Sequence, residues 1–115
     1  GEHWFALFCD FRTEPYTVEY FNSSGNKPKT QIQEWMNKTT AEIEDMLKTT
    51  GSRKKVKQEV LSGMVHQRDT DSECGPFSMY YIWNRMMGVP TQKFQQTRVT
   101  DAQVLTMRKH FWKPK

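Results

Sequence analysis

The sequence predicts an α+β fold, a small mixed sheet flanked by helices, and three observations carry that prediction. Two strand-like runs of different patterning lie between Trp4 and Phe21. Apolar residues then recur at helical spacing from Pro28 to about Lys48, and a second apolar helical stretch runs from Pro76 to Met87. A period of two giving way to a period of 3.6 marks a change from strand to helix.

The run from Trp4 to Phe11 is apolar without a break until Asp10, which reads as a buried central strand. Thr13, Glu14 and Pro15 supply turn chemistry, and Thr17 to Phe21 alternates with β-branched and aromatic residues, as the partner strand of a hairpin does. Asn22 to Asn26 is a loop. Between Pro28 and Lys48, Ile32, Trp35, Met36, Ile43, Met46 and Leu47 form a helical stripe; Trp35, Met36, Ile43 and Met46 are expected to pack on the sheet. Pro28 suits the first helical turn and Gly51 the stop. Ser52 to Lys57 is a basic loop overlapping a short strand from Val56 to Leu61, and Ser62 to Glu73 is polar and turn-like. The helix from Pro76 to Met87 is expected to be buried on most sides through Phe77, Tyr80, Tyr81, Trp83 and Met87, and to close at Gly88 with Pro90 beyond. Thr100 and Gln103 form a capping box for a last helix carrying Val104, Leu105, Met107 and Phe111. The expected order is β-β-α-β-α-α.

At 115 residues the chain suits one domain, and aromatics at 13% with seven Met supply core material. That content argues against disorder despite a mean hydropathy of -0.85. No run approaches the ~20 apolar residues of a membrane span, and no signal peptide is visible, so an intracellular location is expected. The chain opens on Gly1, as a fragment or processed product does. Two cysteines, Cys9 and Cys74, without a secretory signal suit a reducing compartment. The formal charge of +4 is too small to establish a nucleic-acid partner.

Cys74 carries the functional reading. It lies in Glu73-Cys74-Gly75-Pro76, where a polar loop meets an apolar helix, and a helix N-terminus favours thiolate over thiol. A cysteine nucleophile also needs an imidazole to take and return a proton, a group to fix the imidazole tautomer, and donors for the oxyanion. His3, Asn22 and Gln67 supply those groups in the order His3, Asn22, Gln67, Cys74. Asn22 ends the strand that pairs with the one His3 heads, which puts both at one end of the sheet. Gln67 precedes Cys74 by a loop long enough to curl back, and the Cys74 N–H is the expected second oxyanion donor.

The strings His3-Trp4, Glu19-Tyr20-Phe21-Asn22-Ser23-Ser24-Gly25 and His66-Gln67 with Glu73-Cys74-Gly75 resemble the sentrin/SUMO-specific protease family and its adenovirus-protease relatives. The closest flavour is that of the core proteases of large DNA viruses, poxvirus and African swine fever virus among them; Arg98 to Asp101 and Met107-Arg108 resemble their tail. The resemblance covers residues 3 to about 112. It implies a papain-like fold in permuted order and one catalytic core over residues 1–115. His3 is then general base and acid, Asn22 orients it, Gln67 lines the oxyanion hole and Cys74 attacks. Trp4 would wall a narrow tunnel that admits glycines, with cleavage after Gly-Gly or Gly-X-Gly. The implied partner is a glycine-rich protein substrate: a viral polyprotein cut during virion maturation, in host cytoplasm or virion, or a ubiquitin-like modifier. No cofactor and no metal are implied.

The sequence departs from that family at three points. Asn22 stands where Asp is usual, the loop from Gln67 to Cys74 is one residue longer than in many cellular relatives, and the helical region that precedes the His-Trp strand is missing. That last departure predicts apolar surface exposed around Trp4 and Trp83. The competing reading is a non-catalytic binding domain of the same fold that grips a glycine-tailed or core-protein partner. Among the other candidates, Cys9 reads as a small buried hydrophobe, His66 as structural or cleft-rim, and His110 as a helix C-terminal cation. Arg53, Lys54, Lys55 and Lys57 are a solvated loop or a low-ranking nucleic-acid contact, since no aromatic is interleaved.

Overall fold

A computed structural model describes residues 4–66 and 74–111, with Cys74, His110 and Phe111 described by their backbone alone. The elements run β1 (Ala6–Asp10), β2 (Tyr16–Phe21), α1 (Thr30–Thr49), β3 (Val56–Leu61), α2 (Cys74–Met86), α3 (Thr91–Gln96) and α4 (Asp101–Phe111). The three strands among the described residues form one sheet in the order β1-β2-β3. β1 and β2 pair antiparallel with Ala6 opposite Phe21 and Asp10 opposite Thr17. β2 and β3 pair parallel, Tyr16 opposite Val56 and Phe21 opposite Leu61, with α1 as the crossover between them. The mixed α+β arrangement is the one the sequence predicts.

The strand expected to be central, β1, lies at the edge, and β2 takes the centre. Its unbroken apolar character has another cause: the sheet is covered on both faces. Ala6 and Phe8 belong to the core under α2, while Phe5, Leu7 and Cys9 pack against Val18, Tyr20 and Met36. Apolar continuity reports cover on two faces, not neighbours on two edges.

The main core gathers Phe21, Phe77, Tyr81, Phe94, Val99 and Val104 with Ala6 and Leu61. Phe21 stacks on Tyr81 with ring centres 4.6 Å apart, and Phe94 meets both edge-on, at 5.7 Å from Phe21 and 4.8 Å from Tyr81. Phe94 explains an element the sequence hid. The segment Thr91–Gln96 has one apolar residue and so no periodicity to detect, yet burial of Phe94 and Thr91 holds it as a helix.

Two helices stop in the same way. Gly51, at φ 74°, follows α1; its N–H reaches Lys48 O, and Ser52 N–H reaches Leu47 O at 2.8 Å. Gly88, at φ 92°, follows α2, with Gly88 N–H on Arg85 O and Val89 N–H on Asn84 O. Both are paired terminal bonds that need a left-handed residue after the cap. The capping box forms as expected: Thr100 N–H donates to Gln103 Oε1 at 2.8 Å and Gln103 N–H to Thr100 Oγ1 at 3.2 Å. Pro28, in contrast, lies outside α1, which begins after Lys29.

The expected stripe of α1 is only partly buried. Met36 is fully buried, whereas Trp35 and Met46 are exposed. One strand pair and β3 offer α1 too narrow a surface to cover a stripe that wide. In α2, Phe77 and Tyr81 are buried but Trp83 is exposed, as is Met87 just past its end, so burial on most sides is corrected to burial on one. Met79, Ile82, Trp83 and Met86 with Met107 of α4 line an open apolar groove of about 230 Å³. Trp4 is 61% exposed. Apolar surface at Trp4 and Trp83 is therefore present.

At the middle of β2, Glu19 is fully buried between the sheet and α2. Arg85 grips it in two places, Nε to Oε1 at 2.8 Å and Nη2 to Oε2 at 2.8 Å. Tyr81 also donates to Oε1, and Thr17 donates to Oε2 at 2.5 Å. Arg85 extends the network to Asp10 at 3.0 Å and to Val89 O at 2.8 Å. Asp10 in turn holds Arg12, which donates to the last carbonyls of α2 at Arg85 and Met86. The bidentate pairing compensates for burying the carboxylate.

Candidate functional site

The site assembles where β2 and β3 end and β1 begins. Asn22 follows the last residue of β2 and is buried. Its Oδ1 accepts the Ser24 N–H at 2.9 Å, and its Nδ2 donates to Tyr20 Oη at 2.9 Å. The Tyr20 hydroxyl donates to Asn26 O at 3.1 Å, so the loop folds back over the strand that leads into it. Gly25, at φ 82°, makes that return possible, and its N–H bonds to Asn22 O at 3.0 Å. Burial pushes the Tyr20 hydroxyl above its ordinary pKa, against a smaller opposing effect of the Asn22 amide.

Trp4 lies beside the start of α2. A methyl group on Gly75 would lie 3.9 Å from Trp4 Cγ and 4.0 Å from Cδ2, so the indole rests on the start of α2. Gly75 follows Cys74, the first described residue of α2, in backbone. Pro76 fits here because first-turn N–H groups have no intrahelical partner.

The third approach is the strand β3 and the loop after it. Parallel pairing carries β3 to the same end as β2, and Gly63 N–H then bonds to Gly25 O at 2.8 Å and His66 N–H to Ser23 O at 2.8 Å. His66 is buried; its Nδ1 accepts the Val99 N–H at 2.8 Å, its carbonyl accepts from Arg98 at 3.1 Å, and its ring packs 5.3 Å from Phe21. These bonds give His66 a packing role and tie the loop to the segment before α4.

Of the predicted catalytic residues, Asn22 is described in full and Cys74 in backbone, while His3 and Gln67 lie outside the described residues. Their described neighbours converge: Trp4 beside Gly75, and His66 on the residue after Asn22. Cys9 packs mid-strand under α1, and its thiol is pushed up by burial first and by Glu19 second. The basic run sits at the opposite end of the sheet, where Lys54 lies over the Tyr16 ring at 5.3 Å and Lys57 pairs with Glu59 at 2.8 Å. Among the described residues no three His, Cys, Asp or Glu side chains gather to hold a metal ion. No helix among them is long and apolar enough to cross a membrane. Tyr20, which sequence reasoning passed over, was visible only as an aromatic two positions before Asn22.

The model of the Ulp1 protease family, C-terminal catalytic domain, matches residues 1–115. This chain belongs to the Ulp1 protease family. Among curated proteins it is similar to the SUMO-1 cysteine protease S273R of African swine fever virus, isolate Pig/Kenya/KEN-50/1950. The two are 34% identical over 113 residues, which is 98% of this chain and 39% of that one. Cysteine protease S273R of the Badajoz 1971 Vero-adapted strain matches with the same identity and coverage. The crystal structure of the selenomethionine ASFV pS273R protease superposes with a TM-score of 0.90 at 33% identity, covering 100% of this chain and 40% of that one. A second crystal structure of ASFV pS273R protease gives 0.87 at 34% identity. The Ulp1-type α+β fold is thereby shown, and the chain spans about two fifths of the length of these relatives.

Proposed function

We propose that this Ulp1-family chain is the catalytic core of a thiol endopeptidase that cleaves after glycine. Cys74 attacks the scissile carbonyl as thiolate and forms a tetrahedral oxyanion, held by its own N–H and the Gln67 amide. His3 takes the thiol proton and returns it to the leaving amine; water, deprotonated by His3, then clears the thioester. Asn22 accepts the imidazole N–H and so sets the tautomer. Trp4, exposed and seated on Gly75, forms one wall of the glycine channel.

The contact between Trp4 and Gly75 is the observation that carries this reading, because it joins the residue after the base to the residue after the nucleophile. The packing of His66 fits the same reading, since its Nδ1 is already engaged as an acceptor. The names of the relatives add a substrate class, SUMO for the SUMO-1 cysteine protease, and a viral polyprotein processed inside the infected cell is the alternative within the same chemistry. A region preceding the His-Trp strand completes the cleft in this reading. Nucleic acid has no part in it.

A peptide ending in Gly-Gly with a vinyl electrophile tests the assignment. Mass spectrometry should place a single adduct on Cys74, absent after His3→Ala and retained after His66→Ala. An adduct on Cys9, or none in the full-length protein, would refute the peptidase reading and leave a binding domain of the same fold.

A further inference from the structure

An asparagine that orients an imidazole faces a difficulty that an aspartate does not. A carboxylate offers two equivalent acceptors, but an amide turned by half a rotation presents N–H donors where an acceptor is needed. A second contact must decide which end points where. Around Asn22 two contacts decide it together. Tyr20 carries a single hydroxyl proton, and that proton is given to Asn26 O at 3.1 Å. Its oxygen can then only accept, and Asn22 Nδ2 donates to it at 2.9 Å. At the other end of the amide, the Ser24 N–H is a fixed donor 2.9 Å from Oδ1. The reversed amide would set oxygen against oxygen at Tyr20 and N–H against N–H at Ser24. Tyr20 and Asn22 are 2% and 3% exposed, so water does not relieve either mismatch.

We propose that Tyr20 is a positioning residue: its hydroxyl fixes the Asn22 amide so that Oδ1, and not Nδ2, is the end available to an imidazole N–H. The inference rests on the reading of Asn22 as the orienting residue. Burial raises the Tyr20 pKa, which keeps the proton on the hydroxyl and the donor-acceptor sense of the chain fixed. Tyr20 touches no reacting atom; it acts through Asn22.

The test is a cycle of Tyr20→Phe and Asn22→Asp, assayed by turnover of a Gly-Gly peptide in the full-length protein. With Asn22 present, Tyr20→Phe should lower kcat by up to about 100-fold, with KM nearly unchanged, as small misplacements of a catalytic group do. With Asp at position 22 the same change should cost less than about 3-fold, because a carboxylate has no wrong end. Equal losses in both backgrounds would mean that Tyr20 only supports the loop, and would overturn the proposal. Asn22→Ala separates the two layers. A strong loss there with a harmless Tyr20→Phe overturns the positioning role alone, whereas wild-type turnover in Asn22→Ala overturns the orienting role as well. A measurement on the unaltered protein guards against a misfolded variant. The Asn22 side-chain NH2 should give two resolved, slowly exchanging proton resonances, and rapid exchange would overturn the inference.

Discussion

On one face of β2, Thr17 and Glu19 meet Arg85, Tyr81 and Asp10 under α2; on the other, Val18 and Tyr20 meet Met36 of α1 and lead into Asn22. Both faces are buried to similar depth. The first holds a carboxylate whose oxygens accept four bonds from three side chains. The second is apolar at Val18 and carries neutral hydrogen bonds from Asn22 through Tyr20 to Asn26. The charged face joins sheet to helix and contains no group that must change protonation during turnover. The neutral face controls the direction of one amide. In the proposed reading, stability and chemistry are thus divided between alternate residues of the same strand.

Separating the two faces gives the largest effects. Asn22→Ala should lower kcat by about two to four decades, as loss of a triad orienter does. Urea unfolding should show a stability loss of only about 1–3 kcal/mol for that variant, the cost of leaving a buried partner unpaired. Arg85→Met should do the opposite. It leaves Glu19 without its counter-charge and should cost about 3–5 kcal/mol in the same unfolding experiment. Alkylation of Cys74 well below the melting temperature should be unaffected by it. If Arg85→Met instead slowed alkylation as much as Asn22→Ala slows turnover, the division between faces would fail.

Thiol reactivity gives the next effect. Near neutral pH, iodoacetamide should modify Cys74 well before Cys9, whose thiol burial and Glu19 hold above its ordinary range. Peptide mapping over time reads the ratio, and equal rates would count against a reactive Cys74.

Acid titration probes the rim of the charged face. The hydrogen bond from Arg12, aided by its charge and that of Arg85, holds Asp10 below the ordinary 3.8, with burial opposing. A depressed folded pKa means that the stability Asp10 contributes is fully present above 3.8 and is lost as pH falls through the lower, folded value. The stability difference between wild type and Asp10→Asn should therefore be constant at neutral pH and shrink in the acid limb. The smallest effect is remote from both faces: Thr100→Ala should cost about 1 kcal/mol through loss of the capping box.

What the sequence disclosed follows from how local each signal is. The hairpin, the capping box and the glycine stops after α1 and α2 are written in neighbouring residues, and they were legible. Edge and centre were not, because sheet order depends on the parallel return of β3 after α1, which strand composition does not encode. The helix Thr91–Gln96 escaped because a lone Phe94, with no period, supplies its burial. Glu19 lies in a strand read as alternating, and its partner Arg85 is 66 positions away along the chain, with Asp10, the other carboxylate on Arg85, 75 positions from that arginine. At the candidate site, Asn22 was singled out by its place at a strand end. The contact of Asn22 with Tyr20 was not legible, since nothing in the sequence shows that a strand aromatic receives a bond from the side chain two residues on.

His66 is pinned on one side by Ser23, Arg98 and Val99, and Trp4 rests on Gly75 at the other end of the stretch 67–73. Two mooring points fixed independently of the span between them make that span tolerant of length. Closing a somewhat longer loop costs little, since the entropy grows only with the logarithm of its length. A residue added to or removed from the sequence before Cys74 should then shift neither mooring. Chimaeras that exchange residues 67–73 between members of the family should leave sheet and helices where they are.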